Sequence, residues 1–92
     1  MIVRILDEGQ LQLDDAASAE LNLLDATLEK AVNSGDEAAF RSALLALLDR
    51  VRALGTPLAV DSLEPSDSIL PRADADLDEV RSMMTGEGYI PG

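Results

Sequence analysis

The stretch DDAASAELNLLDATLEKAVNSGDEAAFRSALLALLDRVRALG, residues 14–55, decides the fold. Ala17, Leu21, Leu24, Leu28, Ala31 and Val32 recur at the three- and four-residue spacing of one helix face, with Glu20, Asp25 and Glu29 assigned to the water side. Asp14 or Asp15 caps this helix, which the pattern carries to about Asn33. Gly35 suits the residue past its end and Asp36 the cap of the next helix. So short a connection implies antiparallel neighbours, an αα-hairpin. The second helix runs from about Glu37 to Leu54, where Gly55 and Pro57 stop it. Its stripe is Phe40, Ala43, Leu44, Leu47, Leu48, Val51 and Leu54, widened beyond one face by Leu45, Ala46 and Ala53. A stripe this wide belongs to a central helix or to one that carries an interface. Glu37 and Arg41 stand one turn apart, a spacing for an exposed pair worth about 0.3–0.5 kcal/mol.

Upstream, residues 1–6 and 10–13 alternate apolar and polar around Asp7-Glu8-Gly9. The spacing predicts a β-hairpin with a three-residue loop closed by Gly9, pairing Leu6 with Gln10, Ile5 with Leu11 and Val3 with Leu13. Val3, Ile5, Leu11 and Leu13 then share one face, and Arg4 and Gln12 the other. An isolated hairpin is marginal in water, so the apolar face must rest on the helices.

Downstream, residues 56–74 hold Pro57, Pro65 and Pro71 among Leu58, Val60, Leu63, Ile69 and Leu70. A disordered linker would carry fewer branched apolar residues, so this is read as an ordered, extended strap lying across the helical hairpin. Asp76 followed by Glu79 resembles a capping box opening a short third helix. Leu77, Val80 and Met84 line that helix with Met83 beside them, and Gly86 ends it. The fold class is thus α+β in one domain, residues 1–92: a hairpin packed on two antiparallel helices, a strap and a short C-terminal helix.

The chain has 92 residues, with seven basic side chains against 18 acidic ones and a formal charge of −11. Scattered Lys and Arg cannot supply the phosphate contacts on which nucleic-acid affinity rests, and anionic lipid repels this surface. Cys and His are both absent, which excludes disulfides, thiolate metal sites and imidazole bases. The longest apolar run, Ala43 to Leu48, falls far short of the ~20 residues that cross a bilayer, and no leader-like segment follows Arg4. A cytoplasmic protein is expected.

Asp74, Asp76 and Asp78 resemble the opening of a calcium loop, yet Glu79 and Thr85 stand where its Gly and bidentate Glu are required. Helix capping explains these aspartates, and no metal or cofactor is expected. The serines lack a base, and Gly86-Glu87-Gly88 lacks the cation a phosphate cradle needs. No catalytic residue is assigned; an enzyme would require a buried carboxylate pair.

The excess of apolar side chains is more informative. Leu23 lies off the stripe of helix one and Leu45 at the edge of that of helix two, while Met83, Met84, Tyr89 and Ile90 gather near the C-terminus. They either close the core of a small domain or form a patch for a partner helix, a use to which methionines adapt well. Leu45, Met83, Tyr89 and Ile90 are the candidate protein-interface residues.

Three stretches carry a resemblance: MIVRILDEGQ at the start, residues 21–58, and LEPSDSILPRADADLDEVRSMMTGEGYIPG at the end. Pro65-Ser66-Asp67, Leu70-Pro71, the acidic helix start and the closing Gly-Tyr-Ile-Pro-Gly are its more distinctive parts. In their order and spacing the chain resembles the actinobacterial and archaeal family of small proteins associated with phage shock protein A (PspAA). That resemblance implies a non-enzymatic adaptor of phage shock protein A, a coiled-coil, membrane-remodelling protein of the envelope stress response, bound at the cytoplasmic face of the membrane. A different reading of the charge is an acidic regulator that masks the basic surface of a nucleic-acid-binding or transcriptional protein. Homo-oligomerisation is left open by the sequence.

Overall fold

The computed structural model describes residues 1–59 and 64–83, with the main chain alone for Met83. In chain order the elements are β1 (Ile2–Ile5), β2 (Gly9–Gln12), α1 (Asp15–Ser34), α2 (Glu37–Leu54), β3 (Thr56–Pro57), β4 (Ser68–Leu70) and α3 (Leu77–Met83). The fold is α+β, with the hairpin packed on two helices and a short third helix beside them.

Local chemistry sets the helix ends. Asp14 caps α1, its Oδ1 accepting from the Ala17 amide at 2.8 Å. At the far end Gly35 adopts φ 75° and its N–H reaches the Ala31 and Val32 carbonyls, a left-handed close that favours glycine. Asp36 then caps α2 through the Ala39 amide at 3.0 Å. These two linker residues turn the chain back, and α1 and α2 pack together. Asp76 opens α3 in the same way, its Oδ1 accepting from the Glu79 amide at 2.7 Å.

The core lies between the helices and one face of the sheet. It is built from Val3, Ile5, Leu13 and Leu70 of the sheet side, Leu21, Leu28 and Val32 of α1, Phe40, Leu44, Leu47, Leu48 and Val51 of α2, and Leu77 and Val80 of α3. Each fully buried Leu, Val or Phe stabilises the fold by roughly 1.5–3 kcal/mol over an exposed one. Asp25 departs from the sequence reading, which placed it toward water: it is only 3% exposed. Position 25 falls within the Leu21–Leu28–Val32 sector, so helix geometry overrides the polarity of the side chain.

The hairpin register also differs from the expected one. Ile2 pairs with Gln12, Val3 with Leu11, Arg4 with Gln10 and Ile5 with Gly9. The loop is therefore Leu6-Asp7-Glu8: the Glu8 amide donates to the Ile5 carbonyl at 2.9 Å, and Asp7 takes φ 71° at the third turn position. Asp7 supplies the left-handed residue that spacing alone assigns to Gly9, while Gly9, at φ 111°, enters the strand. The shift is of two residues, so the faces survive: Val3, Ile5 and Leu13 are buried, and Arg4 and Gln12 are exposed.

The described parts of the strap are built mainly into the sheet rather than across the helical hairpin, with Ala73 meeting α2 through Arg41. The strap's strands join the sheet, giving the order β3-β2-β1-β4. β3 is antiparallel to β2, and β4 runs parallel to β1 with Val3 opposite Ser68 and Ile5 opposite Leu70. Leu70 enters the core while Ile69, on the face shared with Arg4, is exposed. Asp67 fixes the entry to β4 by two hydrogen bonds to Ile2: its amide donates to the Ile2 carbonyl at 2.7 Å, and its Oδ2 accepts from the Ile2 amide at 2.8 Å. Gln10, buried on the face away from the helices, donates to the Glu64 carbonyl and the Ser66 hydroxyl, both at 2.8 Å. Val60 and Leu63 of the expected strap lie outside the described residues.

Candidate interaction surface

Two helices and a sheet bury most of the large apolar side chains, so those left outward define the surface. Among the described residues they are Leu23 of α1 at 73% exposure, Leu45 of α2 at 40% and Ile69 of β4 at 47%. Leu45 lies at the rim of the α2 stripe, one residue past the fully buried Leu44 and about 100° around the helix from it. The backbone of α3 places Met83 in the last position of that helix, while Met84, Tyr89 and Ile90 lie outside the described residues. Of the four candidate interface residues, the structure thus gives a side-chain environment for Leu45 alone. Ile69 is an exposed apolar residue that the sequence reading assigned to the strap's packing; a three-residue strand is too short for alternation to reveal its outward side.

Charged groups tie the elements together rather than gathering into a reactive centre. The Arg52 guanidinium, at the end of α2, grips the Glu8 carboxylate of the hairpin loop with two bonds of 2.7 and 2.6 Å. That grip holds the Glu8 carboxyl below the usual range for a glutamate. Arg50 bridges α2 to Glu20 of α1 at 3.0 Å, and Arg72 stands among Asp7, Asp74 and Glu79 at 3.4 to 3.8 Å. Arg41 does not pair with Glu37; it stacks over the Phe40 ring at 5.4 Å and donates to the Ala73 carbonyl at 2.6 Å, joining α2 to the segment before α3. Arg81 closes the other side by donating to the Val32 carbonyl at 3.0 Å.

An open groove of about 420 Å³ runs beside the hairpin loop, lined by Arg4, Glu8, Gln10, Arg52, Pro57 and Leu58 among others. Among the described residues its one carboxylate is Glu8, held ionised by Arg52 and so a poor proton donor, and none of the described lining residues pairs a nucleophile with a base. Among the described residues no three Asp or Glu side chains converge to hold a metal. No described helix is long and apolar enough to cross a membrane.

Fold and surface together define a small α+β protein with no evident catalytic site among its described residues and with apolar side chains left outward on both long helices. The family model described as PspA-Associated protein (PspAA) matches residues 1–92, and the chain belongs to that family. No curated protein and no solved structure matches it.

Proposed function

We propose that the protein is a non-enzymatic accessory that binds phage shock protein A and acts through it in the envelope stress response. The observation that carries this reading is the family match over residues 1–92, whose description is of a protein associated with PspA. Two features of the chain support it. With a formal charge of −11 it is repelled by anionic lipid, so a role at the inner face of the membrane requires a protein that recruits it from the cytoplasm. It also leaves apolar side chains such as Leu45 outward on a helix, where a partner helix can cover them.

The interface proposed here comprises Leu45, Met83, Tyr89 and Ile90. Leu45→Asp is expected to weaken binding of purified phage shock protein A while leaving helicity intact, measured by titration calorimetry and circular dichroism. Loss of folding would reassign Leu45 to the core, and unchanged affinity would remove it from the interface. Failure of the wild-type protein to bind phage shock protein A at all would end the reading.

The charge favours a second reading, an acidic regulator that masks the basic surface of a nucleic-acid-binding protein. Recovery of the native partner at low and high salt separates the two. An apolar interface persists at high salt, whereas an electrostatic mask is lost as screening shortens the reach of its charges.

A further inference from the structure

The outward side of α1 carries a pattern that the fold leaves unused. From Leu21, at the centre of the buried sector, Leu23 lies about 200° around the helix, directly away from the core. Ala16, Ala19 and Ala26 share that outward side, and all four are exposed. Their spacing of three and four residues is that of a heptad seam, with Ala16, Leu23 and Lys30 at one set of core positions and Ala19, Ala26 and Asn33 at the other. No acidic residue interrupts it, although the chain carries 18 of them.

The acids stand on its borders instead. The positions flanking the seam are Asp15, Asn22 and Glu29 on one side and Glu20, Thr27 and Ser34 on the other; of the three carboxylates Glu20 is paired with Arg50 at 3.0 Å, which leaves Asp15 and Glu29 to meet a partner's charges. Asp15 and Glu29 make no ion pair among the described residues. Flanking charges in a coiled coil select the partner, because opposite charges across the seam attract and like charges repel. Alanines at the seam let the backbones approach closely, and Leu23 supplies the one large side chain to be covered.

We infer that the outer face of α1, centred on Leu23, docks an amphipathic partner helix whose apolar seam is bordered by Lys and Arg. A second copy of this chain is the wrong occupant: its flanks are acidic, and pairing would bring together two chains of formal charge −11. Lys30, which makes no ion pair among the described residues, ends the apolar run and restricts the register in which a partner lies. The face is defined by helix geometry and charge, so it stands whichever protein supplies the partner helix.

The test uses the full chain and three synthetic peptides, followed by titration calorimetry. One is a three-heptad helix with Leu at the seam positions and Lys at the flanks; the second replaces the flanking Lys with Glu; the third scrambles the first. The expected result is binding of the Lys-flanked helix alone, weakened at least about tenfold by Leu23→Asp. That substitution makes the protein more acidic, so general attraction to a basic peptide would strengthen and cannot mimic the loss. Equal affinity of the wild type and Leu23→Asp for the Lys-flanked helix, or equal binding of the scrambled peptide, would overturn the proposal. So would self-association of the wild type that Leu23→Asp abolishes, which would reassign the face to a second copy. Should Leu23→Asp lose its circular dichroism spectrum, the double variant Asp15→Lys with Glu29→Lys serves in its place. It must shift preference from the Lys-flanked to the Glu-flanked helix, and an unchanged preference refutes the inference.

Discussion

Replacing Gly55 with alanine tests how closely the end of α2 meets the hairpin. Gly55 has φ −85°, a conformation any residue adopts, so the glycine is not required by the backbone. Space requires it: a Cβ there would stand 2.8 Å from the Val51 carbonyl oxygen, 2.9 Å from the Leu11 Cβ and 3.3 Å from Leu13 Cδ2. Two of these atoms are backbone or sit at the root of a side chain, so relief means moving β2 away from α2. Overpacking of this kind costs about 1–3 kcal/mol. Removing glycine's freedom in the unfolded chain returns about 0.4–1 kcal/mol, so from the middle of both ranges the overpacking cost wins by roughly 1–2 kcal/mol. For a domain of this size that is a fall of about 5–15 °C in Tm. Urea and thermal unfolding followed by far-ultraviolet circular dichroism read it directly. Gly35→Ala is the comparison, because there a Cβ meets nothing within 4 Å and only the φ of 75° resists, at about 1–2 kcal/mol. Gly35→Asn should recover part of that loss, since Asn tolerates the left-handed region, whereas Gly55→Asn should be worse than Gly55→Ala. A Gly55→Ala protein as stable as the wild type would refute the close-approach argument.

Three further outcomes follow from single contacts. Asp14→Ala removes the acceptor of the Ala17 amide and should lower stability by about 1 kcal/mol, read as a lower urea midpoint with an unchanged slope. Glu8→Gln breaks the ionic grip of Arg52; because both side chains are more than a third exposed, the loss at neutral pH is only about 0.2–1 kcal/mol and shrinks with salt. The Glu8 carboxyl is lowered by folding, so its contribution is present above the usual value of 4.5 and disappears as pH falls through the lower folded value. Variant and wild type should then converge in acid, and a constant gap would show that ionisation is not the cause. Gln10→Ala removes the amide that donates to the Glu64 carbonyl and the Ser66 hydroxyl and should cost about 1–2 kcal/mol, with faster hydrogen exchange at the Ile2 and Asp67 amides; unchanged exchange there would separate Gln10 from the seating of β4.

The helices were legible because each signal in them is local. Asp14, Gly35, Asp36 and Asp76 act on amides or carbonyls within four residues, and twenty residues of α1 give the period time to declare itself. The hairpin was legible by face but not by register. Leu6-Asp7-Glu8 and Asp7-Glu8-Gly9 are both loops of three residues, and a slip of two leaves every side chain on its own side. Strands β3 and β4 were not legible at all. Two and three residues hold no period, and what makes Ser68–Leu70 a strand is Ile2–Ile5, more than sixty residues upstream in sequence. Asp25 illustrates the opposite error, in which residue type was allowed to outweigh angular position.

The candidate surface was harder to read than the fold for a physical reason. Burial is written twice in a sequence, in the apolar residue and in the period it keeps, but exposure of an apolar residue is written only as a break in that period. Leu45 and Leu23 break their stripes differently. Leu45, about 100° from Leu44, stands at the rim of its buried stripe, where it is 40% exposed. Leu23 stands opposite the core, where no rotation can bury it, and its 73% exposure follows from its position alone. Geometry therefore separates a residue that the fold half uses from one that it does not use. Exposed apolar side chains set singly are common on any surface and need no explanation. Leu23 differs because Ala16, Ala19 and Ala26 keep a second heptad period along the same outward side, bordered by acids. Alanine favours helix anywhere and so accounts for its own presence, but not for the absence of every carboxylate from the middle of the seam in a chain this acidic. That distribution, more than the exposure of one leucine, is what the Lys-flanked and Glu-flanked peptides put to the test.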